Sequence, residues 1–412
     1  MIKREAIEQA HERIKNVVLH TPLMKNYLLS EAYAANVFLK REDMQVVRSF
    51  KLRGAYNKIS QLTGDELVKG VVCASAGNHA QGVAFACADL GVKGRIYMPS
   101  ATPTQKVTKV RHFGKKWVEI ILVGDTFDDA KTEALMDVKA SGATFIDPFD
   151  DIDVIAGQGT IGMEILEDSH EPIDFLFVPV GGGGLASGLG TYFDIVSPDT
   201  RIIGVEASGS ASLYAALNAG EVLTLPHIDP FADGVAVKTV GALTFEICRK
   251  IISDVVVVPE GEICSTILQL YNDDAIVVEP AGALPVAALA HYKEEIKGKN
   301  VVVVISGGNN DINRTEDIRE RALLWEGRKH YFVIRFPQRA GALKEFLTVL
   351  GPNDDIAHFE YTKKNNRQTG PALVGIELKD ASDFDPLIRR MKAAKINFQH
   401  LNGNPMLFEM LV

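Results

Sequence analysis

Short apolar, β-branched runs recur along the chain as far as residue 306, separated by amphipathic segments of helix length. They read "VFLK" at 37–40, "GVVCAS" at 70–75, "RIYMP" at 95–99, "VEIILVG" at 118–124 and "ATFIDP" at 143–148. The pattern resumes with "FLFVPV" at 175–180, "RIIGVEA" at 201–207, "DVVVVPE" at 254–260 and "NVVVVIS" at 300–306. A strand buried on both faces has no polar side to alternate with. Such runs, spaced by helices, therefore predict parallel sheets with crossover connections, here two α/β sheets. After about residue 325 the period changes. "HYFVIRF" at 330–336 alternates as a half-exposed strand should, "GALKEFLTVL" is helical, and "IAHFEYT" and "ALVGIEL" alternate again. Phe384, Leu387, Ile388 and Met391 then share one helical face before a last strand near "INFQHL". The order βαββαβ predicts a ferredoxin-like domain with an antiparallel sheet.

Composition narrows the class. The chain has 412 residues, 46% hydrophobic and 24% charged, which is ordinary for a soluble globular protein of two to three domains. The formal net charge is -9 and no Lys/Arg cluster is interleaved with aromatics, so a nucleic-acid partner is not expected, nor is a membrane partner. Cys73, Cys87, Cys248 and Cys264 lie in apolar segments without C-x-x-C spacing, and the N-terminal "MIKREAIEQAHERIKN" is an amphipathic helix without an apolar signal core. These features predict a reduced, cytoplasmic protein that handles small molecules.

Four segments carry candidate chemistry. Lys51 lies between Phe50 and Leu52 in "VVRSFKLRGAY", where the charges of Arg48, Lys51 and Arg53 do not form one polar face. Alone it reads as a solvated lysine. "ASAGNHAQG" at 74–82 passes from a strand into a helix, so its N–H groups suit an anion, although an ordinary capped turn would look the same. "GGGGLASG" at 181–188 follows a strand with four glycines. That run costs so much chain entropy that packing is a weak reason for it and a phosphate a better one. Gly181-x-Gly183-x-x-Ala186 with Glu206 beyond also fits a dinucleotide fingerprint. "SGGNND" at 306–311 puts a hydroxyl where α/β folds place ligand contacts, or is simply a strand-ending turn.

Amine, anion loop, phosphate cup and neutral hydroxyl together suit an aldehyde that carries a phosphate and a heteroaromatic nitrogen. "SFKLRGA", "SAGNHAQG", the tetraglycine loop and "SGGN" occur in an order and spacing that resemble the β-family (fold type II, tryptophan synthase β-like) pyridoxal 5'-phosphate enzymes of the threonine dehydratase group, over about residues 5–315. The resemblance implies a catalytic domain over 1–324 made of two parallel-sheet α/β subdomains, the smaller roughly 45–150. Segment 325–412 looks like a single C-terminal ACT-like regulatory domain.

The resemblance also implies roles. Lys51 carries the cofactor, Phe50 packs beside its ring, and Asn78 bonds its phenolic oxygen. Gly181, Gly182, Gly183, Gly184 and Leu185 bind phosphate through main-chain N–H groups, and Ser306 faces the ring nitrogen. Ser75, Ala76, Gly77, Asn78 and His79 face the substrate carboxylate, with His79 read alternatively as a structural helix-start residue. Glu279 in "VEPAGAL" lines the site. A neutral Lys51 takes the Cα proton, the β-hydroxyl leaves, and L-threonine gives 2-oxobutanoate and ammonia, with L-serine the weaker substrate.

Racemases of this fold have a serine where this chain has Ala76, and an acidic residue where it has Ser212. Racemisation and a metal site are therefore not expected. The tail implies the biosynthetic enzyme, inhibited by isoleucine and opposed by valine, and the family implies a homotetramer. A dimerisation module is the other reading of the tail. A serine or catabolic threonine dehydratase is the alternative function. A catalytically dead amino-acid sensor or a dinucleotide oxidoreductase leaves the complete set of segments unexplained.

Overall fold

The computed structural model describes residues 2–361 and 368–412. The last four residues of "IAHFEYTKKN", part of the expected regulatory domain, lie outside the described residues. Internal contacts divide the chain into two units, Met1–Asp311 and Ile312–Val412.

The first unit contains two sheets. The larger runs in the order Leu23–Lys25, Asn36–Arg41, Asn300–Ile305, Phe175–Pro179, Arg201–Ala207, Asp254–Val258. Leu23–Lys25 pairs antiparallel with Asn36–Arg41, and the other pairings are parallel. The smaller sheet, Val118–Leu122, Gly94–Met98, Val71–Ala74, Thr144–Phe145, is parallel throughout and lies within the stretch 45–150. Each apolar run of the sequence coincides with one of these strands, with ends that differ by a few residues at most. "ATFIDP" yields only Thr144–Phe145. Leu23–Lys25 was not anticipated, because three residues after a proline are too few to show a period.

Helices of this unit approach one another unusually closely, and glycines permit it. A Cβ on Gly157 of helix Ile152–Asp168 would stand 2.7 Å from the carbonyl oxygen of Arg53 in helix Lys51–Ile59. One on Gly188 of helix Gly184–Val196 would stand 2.4 Å from the carbonyl oxygen of Ile155. Against this packed backbone lies a completely buried ionic cluster. Arg53 donates to Glu42 (2.8 Å twice), to Glu164 (2.6 and 2.8 Å), to Thr160 Oγ1 (3.1 Å) and to the Leu19 carbonyl (3.1 Å). Lys40 donates to Glu164 (2.7 Å) and to the Thr21 carbonyl (2.6 Å). Burial pushes the Glu164 carboxyl up, but Arg53 and Lys40 reverse this and hold it below its ordinary value.

The second unit is an antiparallel sheet in the order Asp355–Tyr361, Thr369–Glu377, Lys329–Pro337, Phe398–His400. Helices Ala342–Leu347 and Phe384–Ala393 complete the expected βαββαβ order. Phe332, Ile334, Val374 and Ile376 of the sheet pack with Phe346, Leu387 and Met391 of the helices. Alternation along the strands puts Tyr331 and Leu373 on the opposite face. There Leu324 of helix Thr315–Trp325 and Leu407 and Phe408 of helix Pro405–Leu411 pack against them. The unit therefore starts at Ile312, ahead of the expected boundary at 325. The physical reason is that helix Thr315–Trp325 is bound to this sheet: Tyr331 Oη donates to Glu320 (2.7 Å), and Arg319 pairs with Glu377 (2.6 Å).

A buried ion loses far more by losing one partner than the pair gains by forming. Arg53→Met strands Glu42 and Glu164, and is expected to lower the unfolding free energy by about 3–5 kcal/mol in urea titration. A loss under about 1 kcal/mol is the size of an exposed pair, and would mean that the cluster is not held as described.

Candidate active site

Lys51 is the first residue of its helix, and the segment before it is laid along the end of a strand. Ser49 bridges Gly307 in antiparallel fashion, Phe50 N–H donates to the Ser306 carbonyl (3.1 Å), and Gly308 N–H donates to the Arg48 carbonyl (3.0 Å). Arg48 adopts φ 57°, a left-handed conformation that costs an ordinary residue about 1 kcal/mol. The bonds on either side hold it there. Ser306 follows strand Asn300–Ile305, and Gly181–Leu185 follow the neighbouring strand Phe175–Pro179. Asn78 opens helix Asn78–Leu90, beyond strand Val71–Ala74 of the smaller sheet. The carboxyl ends of both sheets thus meet at one place, where ligands of α/β folds bind.

One pocket there is lined by Phe50, Lys51, Asn78, Gly181–Leu185, Glu279 and Ser306. Lys51 Nζ donates to the Pro148 carbonyl (2.8 Å) and lies 5.2 Å from the centre of the Phe50 ring. Burial pulls the amine down to about 8, against the opposing pull of Asp147 and Glu279. Glu279 accepts from Asn78 Nδ2 (2.6 Å), and burial, then Asp233, pushes its carboxyl up to about 7. Gly307 leaves room for this carboxyl, since a Cβ there would stand 2.4 Å from Glu279 Oε1 and would displace it.

Ser75, Ala76, Gly77 and His79 do not line this pocket. The Ser75 hydroxyl accepts from the Gly77 N–H (3.2 Å). The His79 ring bonds the Ile146 carbonyl through Nε2 (2.8 Å) and leaves Nδ1 without a partner, while burial and then Lys51 pull it down to about 4. Its ring is therefore neutral and engaged. What remains for an anion is the main-chain N–H of the helix's first turn. A Cβ on Gly77 would meet nothing within 4 Å, so the loop opens onto free space.

Packing accounts for every glycine of the tetraglycine loop, a reason that the sequence alone made look weak. A Cβ on Gly182 would stand 2.2 Å from the Phe149 ring and one on Gly184 would stand 2.9 Å from Phe149 Cα. Gly181 and Gly183 would each meet Val235 or Thr244 at 2.8 Å, and Gly183 has φ 90°. The case for an anion rests instead on the N–H groups that start helix Gly184–Val196 at the pocket. Glu206, the ribose-binding candidate of the dinucleotide reading, accepts from Leu213 N–H (2.9 Å) and Tyr214 N–H (2.7 Å) and so caps helix Ser212–Ala219. Among the described residues no group of three or more His, Cys, Asp or Glu side chains could hold a metal ion.

Sequence reasoning passed over Phe149, Val235 and Asn309. The first two sit in unmarked loops and line the pocket. Asn309 stood in the quoted "SGGN" but was given no task; its Nδ2 donates to Asn78 Oδ1 at 2.8 Å. An amine of lowered pKa, a hydroxyl, an amide donor and a helix start around one pocket are the groups that a phosphorylated heteroaromatic aldehyde requires, and the residues fit such a group.

Residues 14–307 match the family model "Pyridoxal-phosphate dependent enzyme", and residues 320–411 match "C-terminal regulatory domain of Threonine dehydratase". The biosynthetic L-threonine dehydratase IlvA of Bacillus subtilis (strain 168) is 57% identical over 413 residues, covering 100% of this chain and 98% of that protein. A processed threonine deaminase from Solanum lycopersicum superposes with a TM-score of 0.73 at 42% identity, covering 78% of this chain and 94% of that one. Maize serine racemase superposes with the same TM-score, 0.73, at 31% identity, covering 78% and 98%.

In the cofactor-free protein Lys51 is expected to be acylated with a half-maximal rate near pH 8, below which the amine is protonated and inert. Exposed lysines should titrate near about pH 10.4. Competitive labelling read by peptide mass spectrometry across this range distinguishes the two, and a Lys51 midpoint equal to theirs would contradict a desolvated amine.

Proposed function

We propose, on the premise that the chain belongs to the pyridoxal-phosphate dependent enzymes and carries a threonine dehydratase regulatory domain, that it is a threonine ammonia-lyase of isoleucine biosynthesis. It converts L-threonine to 2-oxobutanoate and ammonia. The observation that carries this reading is Lys51 itself, an amine drawn down to about 8 in a pocket shared with Ser306 and the start of helix Gly184–Val196. The alternative substrate is L-serine, taken here as the weaker one.

Pyridoxal 5'-phosphate supplies an electron-withdrawing ring that makes the substrate Cα proton acidic. The protein supplies the rest. Main-chain N–H groups of Gly181–Leu185 hold the phosphate, Phe50 packs beside the ring, and Asn78 Nδ2 donates to the phenolic oxygen. Ser306, a neutral hydroxyl, would face the ring nitrogen without compelling its protonation, and the chemistry supplied there would favour loss of the β-substituent. N–H groups of the loop Ser75–His79 orient the substrate carboxylate. Lys51 takes the Cα proton in its neutral form, and burial, by lowering its pKa, makes that form more accessible near physiological pH than it is for an exposed lysine. The β-hydroxyl leaves with a proton as water, and hydrolysis later returns that water, so the net loss from threonine is ammonia. Ala76 offers no hydroxyl to the opposite face of Cα, which supports elimination without racemisation.

The tail is read as the regulatory domain, with isoleucine as inhibitor, valine as the opposing effector and a homotetramer as the assembly. The proposed location is the cytoplasm. In support, all four cysteines are buried free thiols, and among the described residues no helix is long and apolar enough to cross a membrane.

Lys51→Ala is expected to lower threonine turnover by at least about a thousandfold with unchanged circular dichroism, and near-normal turnover would end this reading. Threonine saturation with and without isoleucine tests the tail. The full chain should lose roughly 5- to 150-fold in apparent threonine affinity, and a chain ending at Asp311 should lose none. Equal inhibition of both would place the effector in the catalytic unit.

A further inference from the structure

We propose that Asn309 is a positioning residue that decides which end of the Asn78 amide faces the pocket, an inference that rests on the cofactor reading above. An asparagine amide has two ends of nearly equal size and opposite chemistry, an acceptor oxygen and a nitrogen with two donors. Which end faces a ligand has to be imposed from outside. Asn309 Nδ2 donates to the Val47 carbonyl (2.8 Å) and to Asn78 Oδ1 (2.8 Å), and Asn309 Oδ1 accepts from Lys109 Nζ (3.1 Å). A carbonyl has no donor and an ammonium has no acceptor. Turning the Asn309 amide over would set oxygen against oxygen at Val47 and nitrogen against nitrogen at Lys109. Its orientation is thus determined from two sides by groups that do not line the pocket.

Asn309 therefore always offers Asn78 a donor. Asn78 answers with Oδ1 and turns Nδ2 into the pocket, where one of its two hydrogens goes to Glu279 Oε1 (2.6 Å). The second is left for an oxygen of the bound ring. The main-chain N–H of Asn309 also bonds Glu279, so this one residue steadies both members of the Asn78–Glu279 pair. Lys109 belongs to helix Thr104–Gly114, and Asn309 to the loop after strand Asn300–Ile305. The polarity of the pocket thus depends on two segments of the catalytic unit coming together.

The test uses Asn309→Asp and Asn309→Ala in the full-length holoenzyme, read by the absorption spectrum of bound pyridoxal 5'-phosphate and by its dissociation constant. Aspartate nearly preserves volume but presents only acceptors, so Asn78 should turn over and face the ring oxygen with Oδ1. The expected result is loss of most of the long-wavelength band to the near-ultraviolet, with cofactor binding weakened by roughly ten- to a hundredfold. Asn309→Ala, which removes the imposed donor without imposing an acceptor, should be perturbed less. A packing role predicts the reverse order, since alanine leaves the cavity. An Asp variant with the wild-type spectrum, or an Ala variant more perturbed than the Asp one, overturns the proposal. If Asn309→Asp does not fold, Asn309→Leu, which keeps the volume but removes the donor, should shift the spectrum in the same direction, and an unchanged spectrum there overturns the proposal equally. A wild-type protein whose bound cofactor shows no long-wavelength band dependent on Lys51 fails the cofactor reading, whatever Asn309 does.

Discussion

The short antiparallel bridge between Ser49 and Gly307 is the contact on which the site depends. It carries the first turn of helix Lys51–Ile59 to the end of strand Asn300–Ile305, and so brings a lysine near one end of the chain's catalytic unit against a serine near the other. The bridge needs a left-handed Arg48 on one side and a side-chain-free Gly307 on the other. Two residues further on, Arg53 anchors the same helix in the ionic cluster with Glu42 and Glu164. Lys51 is thus held from before and behind, and its amine has little freedom beyond its own rotamers.

Buried ionisable groups meet two different fates in this unit, and the number of partners decides between them. Arg53, Lys40, Glu42 and Glu164 are as deeply buried as any side chain here, yet every charged end finds an opposite charge or a carbonyl. Lys51, Glu279 and His79 have one or two neutral partners each, and burial drives all three toward their uncharged forms. The cluster keeps its ions for structure. The pocket holds its groups nearer to neutrality, so its amine gives up a proton more readily than an exposed lysine does.

Threonine deaminase and serine racemase share this backbone, so the fold alone does not choose the reaction. The reaction has to be argued from individual side chains. Ala76 has no hydroxyl, and the Glu206 carboxylate is taken up by the N–H groups of Leu213 and Tyr214. The second unit has its own core between sheet and helices, with further helices on the opposite face of the sheet. It can therefore be gained or lost by a chain without rebuilding the pocket.

Local pattern was enough to find most of the strands. Burial on both faces writes itself as an apolar run, and "FLFVPV" or "NVVVVIS" could hardly be anything else. Alternation likewise disclosed the βαββαβ order of the tail, and the motif around Lys51 disclosed the chemistry by resemblance. Helix Thr315–Trp325 escaped notice because it buries only Ile318, Ala322 and Leu323 among many charges, and what assigns it to the tail is its contact with a sheet not yet formed. The glycines of 181–184 stand out in the sequence, but part of the reason for them does not, since Phe149, Val235 and Thr244 reach them from distant segments. Asn309 and Asn78 are 231 residues apart, and no spacing along the chain foretells that one amide orients the other. Residue types and periods along the chain determine which elements form and which groups are on hand. Which end of an amide meets a ligand, and whether a buried group keeps its charge, are decided only when the folded chain supplies or withholds a partner within hydrogen-bonding distance.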